Sequence, residues 1–298
     1  MGLGQRALRP DCWGDAEESM EPRRRALHDA MSGPVSAQAG LATLARALDD
    51  EVIPRLVLSR RAASPCAPEE EHAAASRIGR QDVLDFARVV LDSDPGAAAE
   101  HVAAILARGA TLEAVFLDLL GPTARCLGDM WNEDLCDFTQ VTVGLWRLQR
   151  IVRDLSPAFA HLAEPHDHAR RALLVPVHGE QHTFGLFMVA EFFRRAGWDV
   201  WAGPVASAAE LLDLVRNEWY AVVGISVSSQ VRLEGLAATI HSVRRASRNR
   251  GVGVMVGGQP FLERPELAAL VGADASAVDG RQATLQAESL LAMAVRRA

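Results

Sequence analysis

A carboxylate, an imidazole and a glycine stand close together in one loop of this sequence. Glu180 precedes His182 by two residues, and Gly185 follows it by three. A neutral imidazole donates the lone pair of one ring nitrogen to a metal, and a carboxylate that accepts from its other N–H fixes the tautomer. Glycine leaves room for a bulky planar ligand beside the backbone. The spacing predicts that His182 is a metal ligand with Glu180 as its partner; the alternative is a helix-capping loop with an incidental histidine.

Two common cofactor motifs are excluded from this loop. A dinucleotide site of the G-x-G-x-x-G type needs three glycines, whereas the loop has only Gly179 and Gly185. All 31 basic residues of the chain are arginines. The lysine of a P-loop and the lysine amine of a Schiff base are therefore both missing.

Short apolar runs alternate with helical patterns from residue 171 onward. The runs cover 172–177, 198–202, 220–228, 251–258 and 273–278. Uninterrupted apolar strands separated by helices are typical of a parallel sheet with both faces covered. We therefore predict an α/β domain over residues 171–298, with a doubly wound, flavodoxin-like parallel sheet of five strands.

Small residues follow the third and fourth predicted strands. The third ends in Ser226 and Ser228, and the fourth ends in Gly257-Gly258. Ligands of open parallel sheets bind beyond the carboxyl ends of the strands, which is also where the loop of His182 lies. We expect the hydroxyl groups to line a slot and hydrogen-bond a polar tail, and the bare glycine backbone to accept a flat group.

The part of the chain before the sheet domain has a different pattern. Residues 1–35 are rich in glycine, proline and charge and are predicted to be a flexible tail. Helical spacing of apolar residues across 36–160 predicts a helical bundle as a cap domain, with a linker at 161–170. The last helix of this bundle is predicted to stop at Ser156-Pro157. Trp131 is either a core aromatic of the bundle or a residue that faces a ligand.

The composition indicates a cytoplasmic protein that does not bind DNA by itself. The net charge of −7 repels nucleic-acid phosphates and anionic membranes, so any action on DNA would need a partner. The four cysteines form no C-x-x-C pair, which fits a reducing compartment. The N-terminal residues lack an apolar signal-peptide core, and no run of about 18 apolar residues predicts a membrane span.

Taken together, the three loops resemble the D-x-H-x-x-G, S-x-L and G-G motifs of cobalamin-binding domains. The similarity extends over roughly residues 170–298 and is carried by Glu180-x-His182-x-x-Gly185, Ser226-x-Ser228 and Gly257-Gly258. It implies base-off binding, with His182 as the lower axial ligand of cobalt and Glu180 as its partner. It also implies a set of small residues that line a slot for the nucleotide tail: Gly185, Ser226, Ser228, Gly257 and Gly258. Thr183 and Phe184 lie inside the first motif and are included among the predicted cofactor-binding residues.

The bundle resembles the helical cap that precedes such domains. By that resemblance, Trp131 matches the tryptophan that lies over the upper face of the cofactor. Two departures from the family pattern are visible. Glu180 stands where aspartate is usual, and Val141-Thr142 stand where adenosylcobalamin photoreceptors carry Glu-His. No helix–turn–helix pattern is visible near the N-terminus.

Residues 179–185 and 137–144 look most like the AerR/PpaA-type regulators of purple photosynthetic bacteria. That resemblance implies a cobalamin-dependent, light-responsive antirepressor that is not an enzyme. The implied partner is a separate DNA-binding repressor of photosynthesis genes, of the CrtJ/PpsR type, with no direct binding of nucleic acid or membrane by this chain. The cap or tail would supply a new upper ligand, for which His28, His72 and His101 are candidates that the sequence does not rank.

Two other functions fit the same residues. A corrinoid methyl carrier or methyltransferase subunit would share the sheet and the histidine. A haem-binding redox or light sensor would use His182 as an iron ligand.

Arg232 also has two interpretations. It either pairs with Glu180 and keeps that carboxylate ionised, or it is an exposed arginine at the start of a helix.

Overall fold

A computed structural model of the chain describes residues 78–91, 95–160 and 169–297. The predicted tail at 1–35, the first part of the predicted bundle and residues 161–168 of the linker lie outside these ranges, as do His28 and His72. Within them the chain forms a bundle of helices, then a parallel sheet with helices on both faces. No helix in these ranges is long and apolar enough to cross a membrane.

The bundle is built from α-helices and one π-helical turn. Its segments are α1 (Arg80–Leu91), α2 (Pro95–Ala107), α3 (Leu112–Ala114), the π-helical turn (Val115–Leu120), α4 (Gly121–Asn132) and α5 (Phe138–Ala160). Thr111 begins α3 as its N-cap, because its side-chain oxygen accepts from Ala114 N at 3.1 Å. Apolar side chains from these segments pack into a single core.

The last helix of the bundle runs past Ser156-Pro157, so the predicted stop is wrong. α5 continues to Ala160 with Pro157 inside it. A proline at this position removes one backbone donor from the helix. Beyond it, Phe159 is fully buried and stacks on Phe116, with ring centroids 4.4 Å apart. Burial of this aromatic ring offsets the cost of the proline.

The predicted flavodoxin-like sheet is confirmed. The strands are β1 (Arg171–Pro176), β2 (Asp199–Ala202), β3 (Val222–Ser226), β4 (Gly253–Gly257) and β5 (Ala275–Ala277). All neighbouring strands are parallel, and their order in the sheet is β2-β1-β3-β4-β5. The chain direction across the sheet reverses between β1 and β3, and the crevice at such a switch point is the usual ligand site of this fold.

The register of the strands brings the three predicted ligand loops to one edge. Pro176 at the end of β1 pairs with Ser226 at the end of β3, and Ser226 pairs with Gly257 at the end of β4. The loop that contains Glu180 and His182 leaves β1 directly after this row. Loops from distant parts of the sequence are therefore neighbours at the carboxyl edge.

Helices cover both faces of the sheet. They are α6 (Phe184–Arg195), α7 (Ala208–Asn217), α8 (Leu236–Ala246), α9 (Gln259–Glu263), α10 (Leu267–Leu270) and α11 (Gly280–Arg297). Successive strand residues point to opposite faces. In β1, Leu173 and Val175 pack in a cluster with α7 and α8, whereas Ala172 and Leu174 pack in a cluster with α6 and α11. Burial on both faces explains why the strands are uninterrupted apolar runs.

A short turn joins β3 to α8. The chain forms a 3-10 turn (Gln230–Leu233), and Gly235 at φ +80° then precedes α8. The left-handed backbone at Gly235 separates the turn from the helix. The turn carries Arg232 at the carboxyl edge of the sheet.

α6 joins the bundle to the sheet. Residues at every fourth position pack against the bundle core: Phe184, Met188 and Phe192. Another set packs in a cluster with the sheet: Leu186, Ala190 and Phe193. Phe192 lies edge-on to Phe159 of the bundle, with ring centroids 5.1 Å apart. Since α6 begins directly after the His182 loop, that loop is anchored to both layers of the molecule.

Candidate functional site

The loop after β1 turns sharply and places a carboxylate inside the protein. Glu180 N donates to Val177 O at 2.9 Å, and Gly179 between them adopts φ +77°. That φ lies in the left-handed region, which favours glycine. The turn buries the Glu180 side chain, which is 1% exposed.

Glu180 accepts hydrogen bonds on both of its carboxylate oxygens. Oε1 accepts from Gln181 N and His182 N at 2.9 Å each, and lies 2.7 Å from His182 Nδ1. Oε2 accepts from Ser228 N at 3.0 Å and from Ser228 Oγ. Burial raises the pKa of this carboxyl, but the hydrogen bonds from Ser228 and His182 outweigh burial and lower the pKa to about 2. Glu180 is therefore an anion at neutral pH.

This anion sets the tautomer of His182. An ionised carboxylate only accepts hydrogen bonds, so Nδ1 must carry the ring proton that Oε1 receives. Nε2 of the neutral ring then carries the lone pair. The His182 side chain is 73% exposed. The structure thus presents an oriented, accessible nitrogen donor at the carboxyl edge of the sheet.

The two serines after β3 have different surroundings. Ser228 Oγ donates to Glu180, so its hydroxyl supports the carboxylate instead of facing the predicted slot. Ser226 Oγ is buried and has no hydrogen-bond partner among the residues that the structure describes. A buried hydroxyl without a partner is costly. Ser226 therefore offers a donor and acceptor to a polar ligand group.

The predicted glycines also differ. A Cβ at Gly258, where φ is +110°, would overlap the carbonyl oxygen of Val227, so the close approach of β3 and β4 requires this glycine. A Cβ at Gly257 would stand 3.6 Å from Ala277 O, which is an ordinary contact. A Cβ at Gly185 would meet no atom of the described part of the chain within 4 Å. Gly185 is the glycine that faces open space beside the histidine loop.

Thr183 and Phe184 lie at the start of α6. Thr183 is the N-cap residue of α6, but its side chain makes no capping hydrogen bond. Phe184 is partly buried and packs against the bundle core. We conclude that Phe184 anchors the loop to the bundle.

Trp131 lies on the surface of the bundle and not in its core. It is 47% exposed near the end of α4 and meets the ring of Phe138 edge-on, with centroids 6.4 Å apart. Phe138 itself is 70% exposed, and Leu135 between them is also exposed. Sequence reasoning missed this neighbouring apolar surface, although the short spacing from Trp131 to Phe138 was a usable signal.

His101 lies within the bundle. Its ring stacks on Phe86, with centroids 5.2 Å apart, and its Nε2 is buried without a partner among the described residues. This packing does not favour His101 as an upper axial ligand. Of the remaining candidates, His28 and His72 lie outside the described residues.

Arg232 lies within ion-pair distance of Glu180, as the first of its two interpretations predicts, whereas the low pKa of that carboxyl comes from the hydrogen bonds of Ser228 and His182. Its Nε lies 3.6 Å from Glu180 Oε2, and one terminal N–H donates to His178 O at 3.3 Å. The arginine therefore contacts the histidine loop from the turn after β3.

The sheet and its histidine loop lie within a segment that matches a known family. Residues 170–287 match the family model of the B12 binding domain. The chain is also 30% identical to the uncharacterized 20.5 kDa protein in the bchF-crtJ intergenic region of Rhodobacter capsulatus, over 151 residues. That alignment covers 51% of this chain and 78% of the relative. The chain belongs to the same family as this protein.

A solved structure shares the fold. The monomethylamine corrinoid protein of Methanosarcina barkeri is similar with a TM-score of 0.59 at 16% identity, over 70% of this chain and 99% of that one. At this level of identity the similarity concerns the fold alone.

Proposed function

We propose that this chain binds cobalamin base-off, with His182 Nε2 as the lower axial ligand. The observation that carries the proposal is the hydrogen bond of 2.7 Å between Glu180 Oε1 and His182 Nδ1. This bond leaves the exposed Nε2 as the available donor of a fixed tautomer. The match of residues 170–287 to the B12 binding domain supports cobalamin in preference to haem.

Two further features fit the same cofactor. Ser226 Oγ at the end of β3 is buried and has no hydrogen-bond partner within the described ranges, so it would hydrogen-bond the nucleotide tail. Gly185 borders open space, where a side chain would otherwise restrict a planar group. When bound, cobalamin would supply a cobalt ion that takes a nitrogen donor from His182 and, in its adenosyl or methyl form, a Co–C bond that light breaks.

Residues of this chain would hold the cofactor and would transmit a change at the cofactor to the bundle. Glu180 keeps the proton on His182 Nδ1, and the histidine loop continues directly into α6. Because α6 packs against both the sheet and the bundle, a displacement of the loop would also move the side chains of α6 that pack in the bundle core. Trp131 would cover the upper face of the cofactor from the surface of the bundle.

We further propose that the chain is a light-responsive antirepressor of the AerR/PpaA type, not an enzyme. The motif resemblance of residues 179–185 supports this role, as does the relative whose name places it beside crtJ. The partner would be a DNA-binding repressor of the CrtJ/PpsR type. The net charge of −7 favours action through such a partner over direct DNA contact.

The axial ligand is tested by substitution in the full chain. We expect His182→Ala to lose stoichiometric cobalamin, whereas His178→Ala, an exposed histidine of the same loop, keeps it. Absorption spectra in darkness and after illumination identify the cofactor, because cobalamin bands and a haem Soret band differ. Retention of base-off cobalamin by His182→Ala would refute the ligand assignment.

The regulatory role is tested with a purified CrtJ/PpsR-type repressor and its promoter DNA. We expect the cobalamin-loaded chain to change repressor binding to DNA in a manner that differs between darkness and light. Methyl transfer to a thiol acceptor in darkness, without any effect on the repressor, would instead identify a corrinoid methyl carrier.

A further inference from the structure

Arg232 lies on the 3-10 turn after β3 and reaches back to the loop after β1. Its backbone N–H donates to Ser229 O at 3.2 Å. The next residue, Leu233, packs against the core on one face of the sheet. The backbone that carries Arg232 is therefore anchored on both sides of it.

The guanidinium of Arg232 contacts two residues of the histidine loop. Its Nε lies 3.6 Å from Glu180 Oε2, and its Nη1 donates to His178 O at 3.3 Å. Gly179 lies between these contacts, and a Cβ there would stand 3.0 Å from Nη1 of the arginine. The guanidinium thus covers the backbone of the loop and reaches its carboxylate.

The contact between Arg232 and Glu180 joins a positive charge to a buried negative one. The Glu180 side chain is almost fully buried, and a buried carboxylate is costly unless other groups compensate its charge. The hydrogen bonds to Glu180 come from backbone N–H groups, the hydroxyl of Ser228 and the ring of His182. Among the described residues, Arg232 is the arginine within ion-pair distance of this carboxylate. Its side chain is 38% exposed, so it stands between the buried anion and solvent.

We infer that Arg232 is a positioning residue for His182. By holding Glu180 Oε2 and the backbone of the loop, it keeps Oε1 directed at His182 Nδ1, so that the Nε2 lone pair stays available. Glutamate has one rotatable bond more than the aspartate usual in this motif, and the arginine restricts that added freedom. The inference rests on the proposed function, because the orientation of the His182 ring matters only if the ring binds a metal.

The first test uses the cofactor-free full chain. Nitrogen NMR of labelled histidine reports which ring nitrogen of His182 carries the proton. In Arg232→Gln we expect the chemical shifts of the two His182 ring nitrogens to move toward the values of a mixture of tautomers. In the conservative variant Arg232→Lys, the chemical shifts should stay close to those of the wild type. Arg250→Gln is the matched control, since this exposed arginine also donates to one backbone carbonyl, that of Arg245 at 2.8 Å. It should leave the His182 signals unchanged.

The second test is a double-mutant cycle on the affinity for hydroxocobalamin. We expect Arg232→Gln to weaken binding about tenfold, at the lower end of the ~10–100-fold that groups behind a metal ligand contribute. In a Glu180→Gln background the same change should alter affinity by less than about twofold, because the partner charge is gone.

Two results would overturn the inference. One is wild-type nitrogen shifts of His182 in Arg232→Gln, and the other is an equal loss of affinity in both backgrounds. Failure of the proposed function would be seen separately, as unchanged cobalamin binding by His182→Ala.

Discussion

Ser228 donates both its backbone N–H and its hydroxyl group to one carboxylate oxygen of Glu180. The backbone bond is 3.0 Å long and joins residues that are 48 positions apart. It connects the end of β3 to the loop after β1 across the switch point of the sheet. The hydroxyl that the motif assigned to a ligand slot therefore supports the carboxylate behind His182.

Ser228→Ala should weaken both the fold and the cofactor site. Without the hydroxyl, the buried carboxylate loses a donor, at a cost of roughly 1–3 kcal/mol in the free energy of unfolding. We expect cobalamin affinity to fall about tenfold, because Glu180 orients His182 less firmly. Urea unfolding and isothermal titration measure the two effects. Ser229→Ala, at the exposed neighbouring position, should change neither quantity, and an unchanged affinity in Ser228→Ala would contradict the role of the hydroxyl.

The stability contribution of Glu180 should disappear in acid. Burial raises the pKa of this carboxyl, but hydrogen bonds lower it from 4.5 to about 2 in the folded chain. Because the folded pKa lies below the unfolded value, the contribution is complete above the unfolded pKa and is lost as the pH falls through the folded pKa.

Glu180→Gln measures that contribution. We expect it to lower the free energy of unfolding by roughly 2–3 kcal/mol at neutral pH. The difference from wild type should shrink as the pH falls, which urea unfolding at a series of pH values will show. A difference that stays constant on acidification would argue against a charged Glu180 in the fold.

Glu113→Gln should loosen the contact between the bundle and the sheet domain. Glu113 accepts from Arg195 Nη1 at 3.0 Å and lies 3.2 Å from Arg281 Nε, so it links α3 to both α6 and α11. We expect a loss of about 1 kcal/mol in low salt and a smaller loss in high salt, because salt screens partly exposed ion pairs. The measurement is urea unfolding at two salt concentrations.

An ion pair within α5 provides the matched control for the contacts of Glu113. Asp154→Asn removes the exposed ion pair with Arg150, whose atoms are 3.8 Å apart, and should have almost no effect. A salt-independent loss in Glu113→Gln would indicate a packing effect instead of an ionic one.

Phe159→Ala and Trp131→Ala should separate folding from cofactor binding. Phe159 is fully buried between Phe116 and Phe192, so its truncation should cost about 3–5 kcal/mol. Trp131 is half exposed, and its truncation should cost less than about 1 kcal/mol. If Trp131 covers the cofactor, its variant should release cobalamin faster, as followed by absorption. An unchanged release rate in that variant would remove Trp131 from the site.

Much of this architecture follows from patterns that act over a few residues. Apolar runs predicted the strands, and the spacing of Glu180 and His182 predicted their contact. These features depend on side-chain periodicity, capping and turn geometry, which neighbouring residues control. The alternation of strands and helices along the chain then predicted the parallel sheet, because short right-handed connections allow only a few arrangements of the strands.

Contacts between distant segments required the folded chain. Ser228 and Arg232 meet Glu180 only because the register of β1 and β3 aligns their ends. Pro157 stays inside a helix because Phe159 packs between Phe116 of the π-helical turn and Phe192 of α6. Local preferences say nothing about such neighbours, because packing and register, which act across the whole molecule, select which side chains come within bonding distance.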